Sequence, residues 1–158
     1  MVESAKQLLD VRNACRWPPA GIRGVGFSRA NLFGKNFDVY REEAQSPLLV
    51  AMIEHRRSVD CLEEILEIEG LDAILIGPYD LSASMGLTAQ FDHPVFLETL
   101  ASINEKATKN KIPLGIHIVQ PEKSLLHKYI DEGRLNLLIS DHSRSKVPPA
   151  FPALFWKQ

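Results

Sequence analysis

Apolar positions along this chain follow two periods, one of helices and one of buried strands. Ala5, Leu8, Leu9, Val11 and Ala14 fall near a 3.6-residue repeat, with Ser4 where an N-cap would stand, which predicts a helix over 3–15. Trp17-Pro18-Pro19 should end it, because each proline lacks a backbone donor and restrains the residue before it. Residues 20–39 hold Gly21, Gly24, Gly26 and Gly34, with Arg23 and Arg29 between them and no sustained period. They read as a long irregular loop, of the kind that is functional or disordered more often than merely connecting. A helical turn over 40–45 is expected to lead into the next strand.

From residue 48 a rhythm sets in. A continuous apolar run over 48–53 predicts a strand. Val59, Leu62, Ile65, Leu66 and Ile68 predict a helix over 58–69 closed by Gly70. A strand over 72–76 precedes a serine-rich turn and a helix over 94–109, opened by Pro94 and carrying Val95, Leu97, Leu100, Ile103 and Ala107. A strand over 113–119, a helix over 121–132 closed by Gly133, and a strand over 135–139 ending at Ser140-Asp141-His142 complete the series. Mostly apolar strands alternating with helices imply an α/β fold with a parallel sheet covered by helices. Four such strands fit a small open sheet or part of an eight-stranded barrel, and in both the ligand sits at the C-terminal ends of the strands.

Composition adds little to that picture but excludes some functions. The 158 residues suit one domain: a helix and glycine-rich loop (1–47), βα repeats (48–142) and a proline-rich tail (143–158). Apolar content of 45% and charged content of 24% are those of an ordinary globular protein. A net charge of −2 provides no basic field, so neither nucleic acid nor an anionic membrane is indicated as a partner. No apolar run approaches the roughly 20 residues that span a bilayer, and the first residues lack a signal-peptide pattern, so a cytoplasmic location is expected. Cys15 and Cys61 show neither metal-ligand nor CxxC spacing and are expected to be reduced thiols.

The candidate chemistry lies at the strand ends. Leu48-Leu49-Val50-Ala51-Met52-Ile53 stops on Glu54, and Leu71-Asp72-Ala73-Ile74-Leu75-Ile76 runs through Gly77-Pro78-Tyr79 to Asp80, while Asp141 follows the last predicted strand. Carboxylates converging on one spot repel unless one is protonated or a cation lies between them, so Glu54 and Asp80 are candidate ligands of a hard divalent ion such as Mg2+, Mn2+ or Ca2+. Each alone would more often serve as a helix cap or a solvated loop acid than as a ligand. A tight turn at Gly77-Pro78-Tyr79-Asp80 would also expose backbone N–H groups able to receive a carboxylate or phosphate, or would be structural only. Histidines 55, 93, 117, 127 and 142 have no zinc-ligand spacing. His93 reads as a cap before Pro94, and the alternation around His117 leaves its direction open. Gly21-Ile22-Arg23-Gly24-Val25-Gly26 follows a helix rather than a strand, so it is not a dinucleotide loop.

Arg16-Trp17-Pro18-Pro19-Ala20-Gly21-Ile22-Arg23-Gly24-Val25-Gly26, Met52-Ile53-Glu54 and the segment from Glu69 to Gly86, with its Gly-Pro-Tyr-Asp-Leu-Ser-Ala-Ser-Met-Gly run, resemble the HpcH/HpaI aldolases. These are class II, metal-dependent, pyruvate-utilising enzymes, and the resemblance runs from residue 1 to about 142. It implies part of a (β/α)8 barrel, about its second half, with Glu54 and Asp80 as metal ligands. Gly77, Pro78, and the amides of Tyr79 and Asp80 would hold the pyruvate carboxylate, with Met52 near the substrate. It further implies a lyase cleaving 4-hydroxy-2-oxo acids to pyruvate and an aldehyde, with Mg2+, Mn2+ or Co2+ as cofactor; half a barrel would leave sheet edges and an apolar strand face uncovered, so a homo-oligomer is expected.

The departures are specific. The family usually has glutamine at the place of Met52, and Val147-Pro148-Pro149 departs from its long last helix. Met1 to Ala5 resembles the end of the family's fourth strand, whereas its catalytic histidine and arginine belong to segments before that point. Neither role falls on a residue of this chain. The alternative expectation is therefore a truncated remnant that binds metal and 2-oxo acid without turnover. An open-sheet binding protein unrelated to aldolases is a third.

Overall fold

The protein is described by a computed structural model covering residues 1–118 and the strand 137–140. Eleven residues, Ala5–Cys15, form α1, and the Ser4 hydroxyl accepts from the Gln7 amide as the sequence implies. The face differs from expectation: Leu8 is buried, whereas Leu9 and Val11 are exposed. Residues 20–39 are less irregular than their composition suggested. They contain a 3-10 segment, Arg29–Gly34, and α2, Phe37–Glu43, starts before the predicted turn. The fully buried Asn31 organises this stretch: its Oδ1 accepts from the amides of Ser28 and Gly34, and its Nδ2 donates to the Gly26 carbonyl.

Strands β1 (Val50–Ile53), β2 (Ala73–Ile76), β3 (Leu114–Ile118) and β4 (Leu137–Ser140) are parallel and lie in the order β1-β2-β3-β4. A doubly wound open sheet reverses direction about a switch point. Sequential order, with the described crossovers on the same side, is the winding of a barrel wall. The core supports that winding. Ala51 and Ile53, Ile74 and Ile76, and Leu114, Ile116 and Ile118 join helical Leu62, Ile65, Leu81, Phe96 and Ile103 in one apolar cluster. Helices thus cover one face, and the alternating residues Val50, Met52, Leu75, Gly115 and His117 belong to the other.

The single helix expected over 58–69 is two, α3 (Arg56–Asp60) and α4 (Leu62–Leu66), broken where Cys61 leaves helical geometry at φ −109°, ψ 24°. Gly70 stands beyond α4 rather than closing it, at φ +80°. The serine-rich turn is in fact a helix, α5 (Pro78–Ser84), with Gly77 as N-cap and Pro78 at its first position. Helix α6, Pro94–Lys109, has its predicted bounds, and the His93 imidazole caps it by accepting from the Val95 amide. Its buried stripe is Phe96, Ile103 and Ala107, whereas the predicted Val95 and Leu97 are exposed. The helix predicted over 121–132, and the acid Asp141, lie outside the described residues.

Phe96 is 1% exposed and is the largest fully buried side chain among the described residues. Truncation to alanine removes its contacts and leaves a cavity, so Phe96→Ala is expected to cost about 3–5 kcal/mol. Against a domain stability of about 5–15 kcal/mol, that loss should appear as a much lower urea midpoint at unchanged m-value.

Candidate functional site

The β1–β2 register determines what meets at the strand ends. Met52 pairs with Leu75 and Ile53 with Ile76, so the next residues, Glu54 and Gly77, come abreast. The Gly77 amide donates to the Ile53 carbonyl at 3.1 Å, which holds that alignment one step past the strand. Glu54 then leans over Gly77: a Cβ built there would lie 2.9 Å from Glu54 Oε2 and 3.0 Å from its Cβ. Gly77 has φ −99°, a conformation open to other residues, so the glycine is required for space rather than for backbone freedom.

The same glycine caps α5, whose first turn carries Tyr79 and Asp80. Glu54 thus follows the C-terminal end of β1 directly, whereas Asp80 lies in the first turn of the helix that follows β2. The Glu54 side chain is largely covered, at 13% exposure, whereas Asp80 and Tyr79 are exposed. Tyr79 rests edge-on against Phe91, with centroids 5.0 Å apart. Met52 is half-buried on the Glu54 side of the sheet.

The segment after Glu54 is held from two directions. The His55 imidazole accepts from the Arg57 amide, and Ser84 of α5 accepts from the Arg56 amide at 2.9 Å while donating to the Leu81 carbonyl at 2.7 Å. Ser84 therefore ties the helix bearing Asp80 to the loop that follows Glu54, satisfying an N–H that the start of α3 leaves unpaired.

Both candidate ligands are hard oxygen donors and so match a hard divalent ion rather than a soft one. The donor set fits the metal that the resemblance implies, with Glu54 and Asp80 as the residues that would hold it. Among the described residues no cluster of three or more His, Cys, Asp or Glu side chains is placed to bind a metal.

Both cysteines are free, and burial followed by the Glu64 carboxylate pushes the Cys61 thiol up, which disfavours its thiolate. Sequence reasoning left one group of this face undecided. His117 alternates with the buried Leu114, Ile116 and Ile118, which places it on the Glu54 side of the sheet. That direction became legible only with the packing of its neighbours. Among the described residues, no helix is long and apolar enough to cross a membrane.

Comparison with known proteins places this geometry. The family model for HpcH/HpaI aldolase/citrate lyase matches residues 1–137. The chain is 34% identical over 133 residues to the 5-keto-4-deoxy-D-glucarate aldolase of Escherichia fergusonii, covering 84% of this chain and 51% of that protein. It is 32% identical over 158 residues to the 4-hydroxy-2-oxovalerate aldolase of Rhodococcus jostii, covering 98% of this chain and 60% of that protein. Its fold matches the crystal structure of an HpcH/HpaI aldolase/citrate lyase family protein from Burkholderia cenocepacia with a TM-score of 0.79 and 28% identity, over 89% of this chain and 56% of that one. The chain thus spans about half the length of the curated relatives it matches. With most of its length matched by one family model and its sheet wound as in these relatives, the chain belongs to the HpcH/HpaI aldolase/citrate lyase family.

Proposed function

We propose that this chain carries the metal- and pyruvate-binding wall of an aldolase that cleaves 4-hydroxy-2-oxo acids to pyruvate and an aldehyde. The observation that carries this reading is the close approach of Glu54 to Gly77 at the ends of two strands in register, beside the helix that starts with Tyr79 and Asp80. A divalent ion bound there would supply Lewis-acid polarisation of the 2-oxo group.

The remaining work belongs to the chain's own residues. Glu54 and Asp80 hold the ion with negative charge. The first amides of α5, at Tyr79 and Asp80, have no acceptor a turn earlier in the helix and would receive the substrate carboxylate. Met52 contributes an apolar contact in place of the glutamine usual in the family, which favours a site with one fewer polar group beside the keto oxygen. The two relatives above are named as aldolases of different substrates, a sugar-derived keto acid and a short hydroxy-oxo acid. The shared chemistry is the 2-oxo acid end.

Pyruvate release from 4-hydroxy-2-oxo acids, measured with Mg2+, Mn2+ or Co2+ against chelated controls, tests the reading. Turnover that disappears in both Glu54→Ala and Asp80→Ala is the expected result. Metal and pyruvate binding without turnover would support the binding-only alternative, and turnover surviving both substitutions would overturn the site.

A further inference from the structure

An open cavity of about 190 Å3 lies among the helices, away from the strands. Arg56, Val59 and Asp60 of α3 form one side, Met85 at the end of α5 another, and Val95 and Thr99 of α6 the third. It is therefore separate from the wall that carries Glu54 and Asp80. Val59, Met85 and Val95 give it an apolar lining, and Arg56 and Asp60 bring opposite charges to the same helix side.

Those two charges run against local preference. Arg56 opens α3 and Asp60 closes it, the reverse of what the helix dipole favours. As an i,i+4 pair the order is also the weaker one, since the acid stands C-terminal to the base. Among the described residues neither side chain is in an ion pair, with the other or with a third group. Charges that gain nothing locally and stand unpaired beside an apolar cavity suit a ligand that carries both signs. Thr99 adds a third polar group. Its hydroxyl donates to the Val95 carbonyl at 2.8 Å, which leaves the oxygen as an acceptor.

Size and charge together define the class of ligand. A cavity of about 150 Å3 holds a benzene ring, so this one takes roughly eight non-hydrogen atoms. We propose that it binds a free α-amino acid with a short branched aliphatic side chain. The carboxylate pairs with the Arg56 guanidinium, the ammonium donates to Asp60 and Thr99, and the alkyl group lies against Val59, Met85 and Val95. Side chains at i and i+4 have Cβ atoms about 5–6 Å apart, a span that the adjacent carboxylate and ammonium of an α-amino acid bridge. A ligand of one charge would leave the other side chain without its partner.

The test is a titration of the full chain with L-valine, followed by amide-resolved NMR. Saturable shifts are expected at α3, Met85 and α6, with a Kd on the order of 1 mM for a ligand of this size. Isobutylamine and 3-methylbutanoate, which each lack one of valine's charges, should bind about fivefold more weakly. Arg56→Gln and Asp60→Asn should each weaken valine by a similar factor. Each variant removes one end of the pairing, so Arg56→Gln should leave isobutylamine unchanged and Asp60→Asn should leave 3-methylbutanoate unchanged. Val95 is half exposed, and Val95→Phe fills the cavity from that position. Valine binding should disappear in it while the Tm of the free protein stays within about 3 °C.

Absence of saturable shifts at about 20 mM valine, or shifts that map away from α3, Met85 and α6, would overturn the proposal. So would a valine Kd within about twofold of wild type in either charge variant, equal affinity for valine and its two analogues, or unchanged binding by Val95→Phe. The titrations contain no divalent ion, so their outcome is independent of the site at Glu54.

Discussion

Replacing Glu54 by glutamine is expected to lower Mn2+ affinity by more than about 100-fold while changing stability by less than about 1 kcal/mol. The first magnitude follows from what the side chain would do. Groups that only orient a ligand typically cost 10–100-fold when removed, and a charged ligand contributes more directly than they do. Glutamine keeps the shape and one carbonyl oxygen but loses the charge and can turn an amide N–H toward the cation. The second magnitude follows from the present partners of Glu54. Among the described residues its ion pair is with the Met1 ammonium at 3.6 Å, and that partner is 45% exposed, so solvent screens the interaction. Titration calorimetry with Mn2+ and thermal denaturation of the same two proteins separate the effects. An affinity within threefold of wild type would remove Glu54 from the metal site.

How far this site was legible before the structure depends on which physical signal each part carried. The strands and α6 were readable because burial on both sides gives short apolar runs, and because Pro94 and a sustained period frame a long helix. Glu54 was readable as a strand-end acid for the same reason, whereas Asp80 lies further on, in the first turn of α5. Helix α5 was missed because its signals are shared with turns: a glycine, a proline, and serines whose hydroxyls favour non-helical backbone. In the folded chain Ser82 and Ser84 donate to the carbonyls of Tyr79 and Leu81, and so they are accommodated within the helix.

The break at Cys61 left no trace in the apolar pattern, which continues across it from Val59 to Leu62 and Ile65. The 20–39 segment was opaque for a different reason. Its order depends on one buried amide, Asn31, which bonds to three backbone groups, and a single residue has no period to detect. His117 belongs to a third class. Alternation gave two directions for it, and only long-range packing of the flanking isoleucines against helices chose between them.

Gly77→Ala is expected to reduce Mn2+ affinity about 10–100-fold without adding or removing a single ligand atom. The backbone at Gly77, φ −99° and ψ 92°, admits alanine, so the whole effect must arise from the new methyl. That methyl would lie 2.9 Å from Glu54 Oε2 and 3.0 Å from Glu54 Cβ. The carboxylate end can swing aside at little cost, which displaces a ligand. The Cβ cannot, because the Gly77 amide holds the Ile53 carbonyl at 3.1 Å and keeps the two chains abreast. Overpacking of this kind costs about 1–3 kcal/mol. A double-mutant cycle identifies the cause. In a Glu54→Ala background the carboxylate is absent, so Gly77→Ala should destabilise less than in wild type, by a coupling of about 0.5 kcal/mol or more. Equal costs in the two backgrounds, or an unchanged Mn2+ affinity in Gly77→Ala, would mean that the close approach of Glu54 to Gly77 does not set the geometry of the site.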